Sequence, residues 1–288
     1  MSQIRELLLK SGICQLTPLY SGEELAAFNA AINPLLESRV AERRAYVHVE
    51  ELLELGVFGM VLSEKMKAIL FSIVPDPVLY HCHVYEIAAN DARPHIFGDS
   101  LAGWHRDMDC NYVAGDPTHV SIFVYLTNVG PEDGAFEFVP GVPPTKWLHN
   151  GAPYSIVQGP AGYSFAWHRR FYHRASPNRG PVRRRLLKIS IQRNAFPSAH
   201  LGNEHFKKLL SQVPAGDLAT DLLLGRYQGK KAPVVAEFPI PDVTPVPANS
   251  TLKLSSVELT KAQLREKAHG LKSKLRGDPY AQALAVYD

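Results

Sequence analysis

His105 and Asp107 stand two residues apart in the segment GWHRDMD, which spans Gly103 to Asp109 beside a run of strand-forming character. Side chains two apart on a strand point to one face, so an imidazole and a carboxylate at this spacing can reach one ion. A second imidazole, His173, follows in RRFYHRASPN, just after an expected strand at Tyr163–Trp167. Two imidazoles and one carboxylate on one face of an octahedron leave three positions open. A chelating cosubstrate needs two of them and O₂ the third, which is the arrangement of non-haem Fe(II) oxygenases. The same three residues could hold zinc and an activated water, so a cupin-like hydrolase or isomerase is the rival chemistry. Asp109 shares the strand face but is four residues from His105, and it reads as a neighbour of the ligands or a solvated group. His168, five residues before His173, competes with it as the distal ligand.

Downstream of His173 come Asn178 and then Arg183, Arg184 and Arg185, leading into a β-like run Leu186–Gln192. Three consecutive arginines alternate across a strand, so one of them can enter a barrel and grip a carboxylate with its planar fork. The plain alternative is a surface ion pair of small energetic value. Along Leu79–Ile87 the residues His81, His83 and Tyr85 alternate on one face. A polar stripe inside a β core needs a reason, because unpaired buried polar groups are costly. It is either the wall of a cosubstrate pocket or an exposed strand face. Trp104, Tyr112, Trp167 and Phe171 flank the candidate ligands as pocket lining or as core. The loop Ala88–Gly103 has the position of a lid, with Arg93 and His95 as substrate contacts. Seven arginines between Arg169 and Arg185 fit an anionic substrate or ordinary surface charge.

The elements that must position these groups fall into three stretches. Ser21-Gly22-Glu23-Glu24 is a capping-box pattern, and Leu25, Phe28, Ile32, Leu35 and Leu36 then recur at helical spacing, so the first helix is expected at Ser21. A second helix is expected over Ser63–Phe71. From about residue 76 to 195, short β-branched and aromatic runs alternate with Gly, Pro, Asn and Asp: Leu79–Ile87, Val120–Leu126, Ala135–Val139, Ser155–Val157, Tyr163–Trp167 and Leu186–Gln192. That pattern predicts a sandwich or barrel. The pattern turns helical again after about residue 196, at Glu204–Val213 and Ser255–Leu275, with Phe238–Pro247 as an extended connection over the surface. The organisation expected is one domain over 1–288: a helical part to about 75, a β core, and a helical extension.

Composition excludes more than it assigns. Of 288 residues, 45% are hydrophobic and 20% charged, an ordinary globular mixture able to bury a core without disulfides. A net charge of +3 is too small for a general nucleic-acid binder. Three scattered cysteines, Cys14, Cys82 and Cys110, point to a reducing compartment. The first residues read as too short and too acidic for a signal peptide, and no apolar stretch approaches a membrane span. The expectation is a cytoplasmic protein, monomer or homodimer, acting without membrane or nucleic acid.

The segments WHRD, LTNVGPEDGAFEFVPG and GYSFAWHRRFYHRASPNRGPVRRR together resemble the phytanoyl-CoA dioxygenase family. The order and spacing match from Gly103 to Ser190, and the region Gly12–Leu36 is similar to the family's N-terminal part. The resemblance implies a mainly β fold with flanking helices around a double-stranded β-helix, the cupin-like jelly roll. It implies Fe(II) held by His105, Asp107 and His173, and 2-oxoglutarate decarboxylated to succinate as a small organic substrate is oxidised, most simply by hydroxylation. The family's cosubstrate arginine lies eleven residues past the distal histidine, which here is Arg184. His83, Tyr85 and Ser176 are carried over as further cosubstrate contacts. Two departures stand out: PGSH is here Pro140-Gly141-Val142-Pro143, and the serine two past the distal histidine is Ala175, with Ser176 next. The substrate implied is anionic or a natural-product intermediate. Asp107 counts against a halogenase, which carries a small residue there, and the intact triad counts against a non-catalytic binding protein.

Overall fold

A computed structural model describes residues 2–93, 103–107, 115–141, 148–194, 211–227, 238 and 241–255. Two antiparallel sheets face each other. The larger has seven strands, and its order is set by β1 (Ile13–Leu16), β2 (Arg44–His48), β3 (Pro77–Ile87), β4 (His119–Tyr125), β7 (Ser164–His168), β9 (Arg184–Arg193) and β10 (Val243–Pro245). Across the sheet they run β10-β1-β7-β4-β9-β3-β2. The smaller contains β5 (Phe136–Phe138), β6 (Pro153–Val157), β8 (His173–Ala175) and β11 (Ser250–Thr251), in the order β11-β6-β5-β8. The core is thus a jelly roll, the fold expected.

Strand alternation divides the apolar residues between two layers. Leu187, Ile189 and Ile191 of β9, with Val120, Ile122 and Val124 of β4, face the helices. Leu186, Phe123, Tyr125, Phe165, Trp167 and Phe136 fill the space between the sheets. Central strand β4 is buried along its whole length, because helices cover one face and the smaller sheet the other. Each aromatic side chain moved from water into this layer contributes about 1.5–3 kcal/mol, which makes the inter-sheet cluster the main support of the site.

The helices are α1 (Gln3–Lys10), α2 (Gly22–Ser38), α3 (Val49–Glu54), α4 (Phe58–Val61), α5 (Glu64–Ile73) and α6 (Leu218–Leu223). The capping box at Ser21 and Glu24 is present, and Leu25, Phe28, Ile32 and Leu36 are the buried stripe of α2. The first helix nevertheless begins at Gln3 rather than Ser21. Ser2 caps α1, which is fixed to the core through Ile4 and Leu8. The flanks are also less helical than expected. β1 and β2 belong to the larger sheet, and Val243–Pro245, inside the stretch expected as a surface connection, pairs with β1 as an edge strand. The helices expected at Glu204–Val213 and Ser255–Leu275 lie almost wholly outside the described residues. No described helix is long and apolar enough to cross a membrane.

One irregularity matters for the site. The pairing of β3 with β9 shifts between Leu79 and His81, so Tyr80 is an extra residue. Leu79 and Cys82, three apart, consequently both face the helices. A bulge of this kind re-aims side chains, and here it places Tyr80, His81, His83 and Tyr85 toward the interior.

Candidate metal centre

His105 and His173 meet across the gap between a loop and strand β8. They form an isolated antiparallel bridge in which each donates its backbone N–H to the other's carbonyl, at 3.1 and 2.9 Å. Beyond that bridge, residues 103–107 are not a strand, contrary to expectation. Asp107 is placed instead by its backbone N–H, which donates to the Arg169 carbonyl at 3.1 Å. The result still brings the three residues together. Asp107 Oδ1 lies 3.9 Å from His105 Nε2 and 3.9 Å from His173 Nε2. One ligand atom from each residue can be chosen so that all three lie within 4.8 Å of one another.

Hydrogen bonding fixes what each ring can offer. His105 Nδ1 lies 2.8 Å from the Gly103 carbonyl, and His173 Nδ1 lies 2.9 Å from the Phe171 carbonyl. A carbonyl only accepts, so each Nδ1 carries a proton, and the ring nitrogen left to meet an ion is Nε2. Burial pushes the His173 imidazole down to about 3, with His105 adding to the effect. For Asp107, burial works to raise the pKa, but the Arg169 guanidinium, His173, Lys188 and His105 hold the carboxyl well below its usual range. Two imidazoles and one carboxylate are the donor set for a divalent first-row metal with open positions.

The three residues open onto a cavity of about 390 Å³ between the sheets. His81, His83 and Tyr85 line it, so the polar stripe of β3 faces the interior rather than solvent. Burial pushes His81 down to about 3, and Lys188 lowers it further; burial also sets His83 well below its usual value. Trp167 lines the cavity, whereas Trp104 packs with Val139, Leu148 and Tyr172, and Phe171 packs against Phe138.

Arg184 faces inward with 1% exposure, and its neighbours Arg183 and Arg185 face outward, both paired with Glu86. It sits one layer beyond the lining. Its Nη2 donates to the Tyr85 hydroxyl at 2.9 Å and its Nη1 to the Gly134 carbonyl at 2.5 Å. Ser176 is not on the cavity wall. Ala175 takes the inward position of β8, and the Ser176 hydroxyl donates to the Ala135 carbonyl at 3.1 Å. Arg93 is paired with Asp91 away from the lining. Asp109, His95 and Tyr112 lie outside the described residues. His168 is buried and does not join the triad; its Nδ1 accepts the Arg170 backbone N–H at 3.2 Å.

Four residues that spacing did not single out belong to the site. Arg169 donates through Nε to Asp107 Oδ2 at 2.5 Å. Lys188 lines the cavity from the inward face of β9, opposite His83 and Phe123. Tyr46 and His48 reach it from β2. The alternation of Arg184, Leu186 and Lys188 on one strand face was the available signal for Lys188. No local pattern marks Arg169.

The family model for phytanoyl-CoA dioxygenase (PhyH) matches residues 8–186. Among solved structures, the fold is similar to SnoN, an epimerase from nogalamycin biosynthesis solved with Fe3+, alpha ketoglutarate and nogalamycin RO. That match has 17% identity and a TM-score of 0.55, and covers 75% of this chain and 91% of that one. HygX from Streptomyces hygroscopicus, solved with nickel and 2-oxoglutarate, matches at 15% identity over 69% of this chain and 89% of its own, with a TM-score of 0.52. EctD from S. alaskensis, solved with 2-oxoglutarate and 5-hydroxyectoine, matches at 14% identity over 66% and 75%, with a TM-score of 0.52. At these identities the likeness is one of fold. No curated protein matches the chain by sequence.

Proposed function

The chain belongs to the phytanoyl-CoA dioxygenase family, and from that premise we propose that it is an Fe(II)- and 2-oxoglutarate-dependent oxygenase acting on a small organic molecule. His105, Asp107 and His173 would hold the iron. The observation that carries the reading is Arg184. Its guanidinium is buried, no carboxylate among the described residues pairs with it, and its Nε has no hydrogen-bond partner. An uncompensated buried charge costs several kcal/mol, and an incoming carboxylate would answer it with a charge-assisted pair. A dicarboxylate that chelates the metal at one end would meet the Tyr85 hydroxyl at the cavity wall, with the Arg184 guanidinium immediately behind it.

When bound, Fe(II) and 2-oxoglutarate would activate O₂ for C–H oxidation, one oxygen atom going to the substrate and the other to succinate as CO₂ leaves. The chain's own part is binding and exclusion. Phe123, Phe136 and Trp167 form an aromatic wall beside the ligands, with the Trp167 and His173 ring centroids 4.3 Å apart. Such a wall excludes water from the reacting centre. Lys188 adds a cation to the lining, which favours a substrate carrying an anionic group. Hydroxylation is the simplest outcome for this machinery. A zinc hydrolase would have no use for Arg184, which is why that rival ranks second.

The test is anaerobic titration of the protein with Fe(II) and 2-oxoglutarate, read by the visible charge-transfer band, followed by succinate measurement in air. The band, and succinate that requires both Fe(II) and O₂, are expected. Turnover without O₂, or equal turnover with zinc, would overturn the proposal in favour of hydrolysis.

A further inference from the structure

Resting on the metal-site reading above, we propose that Arg169 is a positioning residue that leaves only one oxygen of Asp107 for the metal. The two carboxylate oxygens of Asp107 are in different surroundings. Oδ1 faces the Nε2 atoms of both histidines, 3.9 Å from each. Oδ2 accepts a hydrogen bond from Arg169 Nε at 2.5 Å. The pair is shielded from solvent, with side-chain exposures of 8% for Arg169 and 16% for Asp107, so solvent screens it little.

The grip extends beyond that one bond. Arg169 accepts the Asp107 N–H through its own carbonyl at 3.1 Å, and Arg170 Nη1 donates to the Asp107 carbonyl at 3.3 Å. The Arg169 N–H in turn donates to the His119 carbonyl at 3.2 Å, fixing the segment to β4. Its guanidinium is held from the other side, since Nη1 donates to the Tyr80 hydroxyl. Tyr80 is the extra residue of the β3 bulge, and without that bulge the inward stripe of β3 would fall out of step. The aspartate is therefore held through its carboxylate, its N–H and its carbonyl.

A carboxylate free to rotate can bind a divalent ion through both oxygens and occupy an additional coordination position. With Oδ2 engaged by a guanidinium, Asp107 would offer Oδ1 alone to an ion, leaving for a chelating cosubstrate the position a second carboxylate oxygen would take. Arg169 also places a positive charge near the ion. Its removal should not weaken metal binding; it should weaken cosubstrate binding. A merely structural role predicts the reverse.

The experiment uses Co(II) as the probe metal in the full-length protein, comparing wild type with Arg169→Gln, Arg169→Lys and Tyr80→Phe. Near-UV circular dichroism confirms that each variant is folded. Co(II) affinity is measured by calorimetry, the Co(II) visible spectrum is recorded without cosubstrate, and 2-oxoglutarate is then titrated. Arg169→Gln should bind Co(II) as tightly as wild type or tighter, show altered visible bands, and lose about ten-fold or more in 2-oxoglutarate affinity, the equivalent of ~1.4 kcal/mol. Arg169→Lys and Tyr80→Phe should shift the same readouts in the same direction by less. The proposal is overturned if Arg169→Gln loses Co(II) affinity with unchanged bands, or if no readout moves. Wild-type protein that binds no Co(II) would instead sink the metal-site reading itself.

Discussion

His105 and His173 are locked to each other by a reciprocal pair of backbone hydrogen bonds, so two candidate ligands far apart in sequence share one piece of ladder. Asp107 enters from the same loop as His105 and is held by Arg169, from the segment that leads to His173. The backbone ladder and the Arg169 contact hold these residues through different partners, and this makes them separable by mutation.

Arg184→Met should leave the stability of the ligand-free protein unchanged or raised, because it removes a buried charge that no described carboxylate answers. The same change should cost about 2–5 kcal/mol in 2-oxoglutarate binding. Arg185→Gln should do the opposite. It breaks contacts with Glu86, Asn29 and Asn33, lowering stability by about 1–3 kcal/mol while leaving cosubstrate affinity alone. Urea denaturation and calorimetric titration of both variants decide it.

Asp107→Ala should abolish metal binding and also destabilise the metal-free protein by about 3–5 kcal/mol, since it strands the buried Arg169 guanidinium. The double variant Asp107→Ala with Arg169→Met should recover most of that stability and none of the metal binding. Equal melting temperatures for the single and double variants would show that the ion pair does not couple the two sites.

Ser176→Ala should leave the KM for 2-oxoglutarate unchanged, because its hydroxyl serves the Ala135 carbonyl away from the cavity. Tyr85→Phe should raise that KM by about ten-fold, the equivalent of ~1.4 kcal/mol for a lost hydrogen bond to a charged group. Steady-state kinetics on the two variants compare the contacts directly.

Acid should destabilise the metal-free protein well before its carboxylates titrate. Burial, aided by His119 and Arg170, pushes His168 down to about 3 from an ordinary value of 6.5. Between those values the unfolded chain takes up a proton that the folded chain refuses, so stability falls as pH falls from 6.5 toward 3. One such histidine costs about 2 kcal/mol at pH 5 relative to pH 7. His168→Gln should flatten the dependence of unfolding free energy on pH over this interval. An unchanged slope would mean that His168 is not neutral in the native state.

The strands that carry the site were legible because a period of two is a local property. The shared face of His81, His83 and Tyr85 and the opposite facing of Arg184 relative to Arg183 and Arg185 follow from it, whereas parity left open whether the β3 stripe faced the interior or solvent. The same parity would have set Ser176 apart, since His173 and Ala175 face inward and the next residue cannot. Helix α1 was not legible, for its eight residues owe their helicity to the burial of Ile4 and Leu8. Strand β10 was read as a surface connection because an extended proline-containing segment and an edge strand share one local conformation. Only pairing with β1 separates them, and Pro245 is tolerated because β10 is the sheet's edge. Arg169 was invisible for a different reason. It reaches an aspartate sixty-two positions away through a loop-borne side chain, and no period encodes such a contact.

The carboxylate of Glu86 has a further consequence. It holds Arg185 on the outer face of β9 and Arg183 just before the strand begins, so it works as a parity check on the strand. A slip of one residue would pull two guanidinium groups into the aromatic interior, expel Arg184 and Lys188, and leave Glu86 without either arginine. A single-residue deletion in this strand would therefore invert the chemistry of the cavity wall all at once, while a substitution changes one group. Variation in this protein should accumulate in β9 by exchange of residues and not by changes in its length.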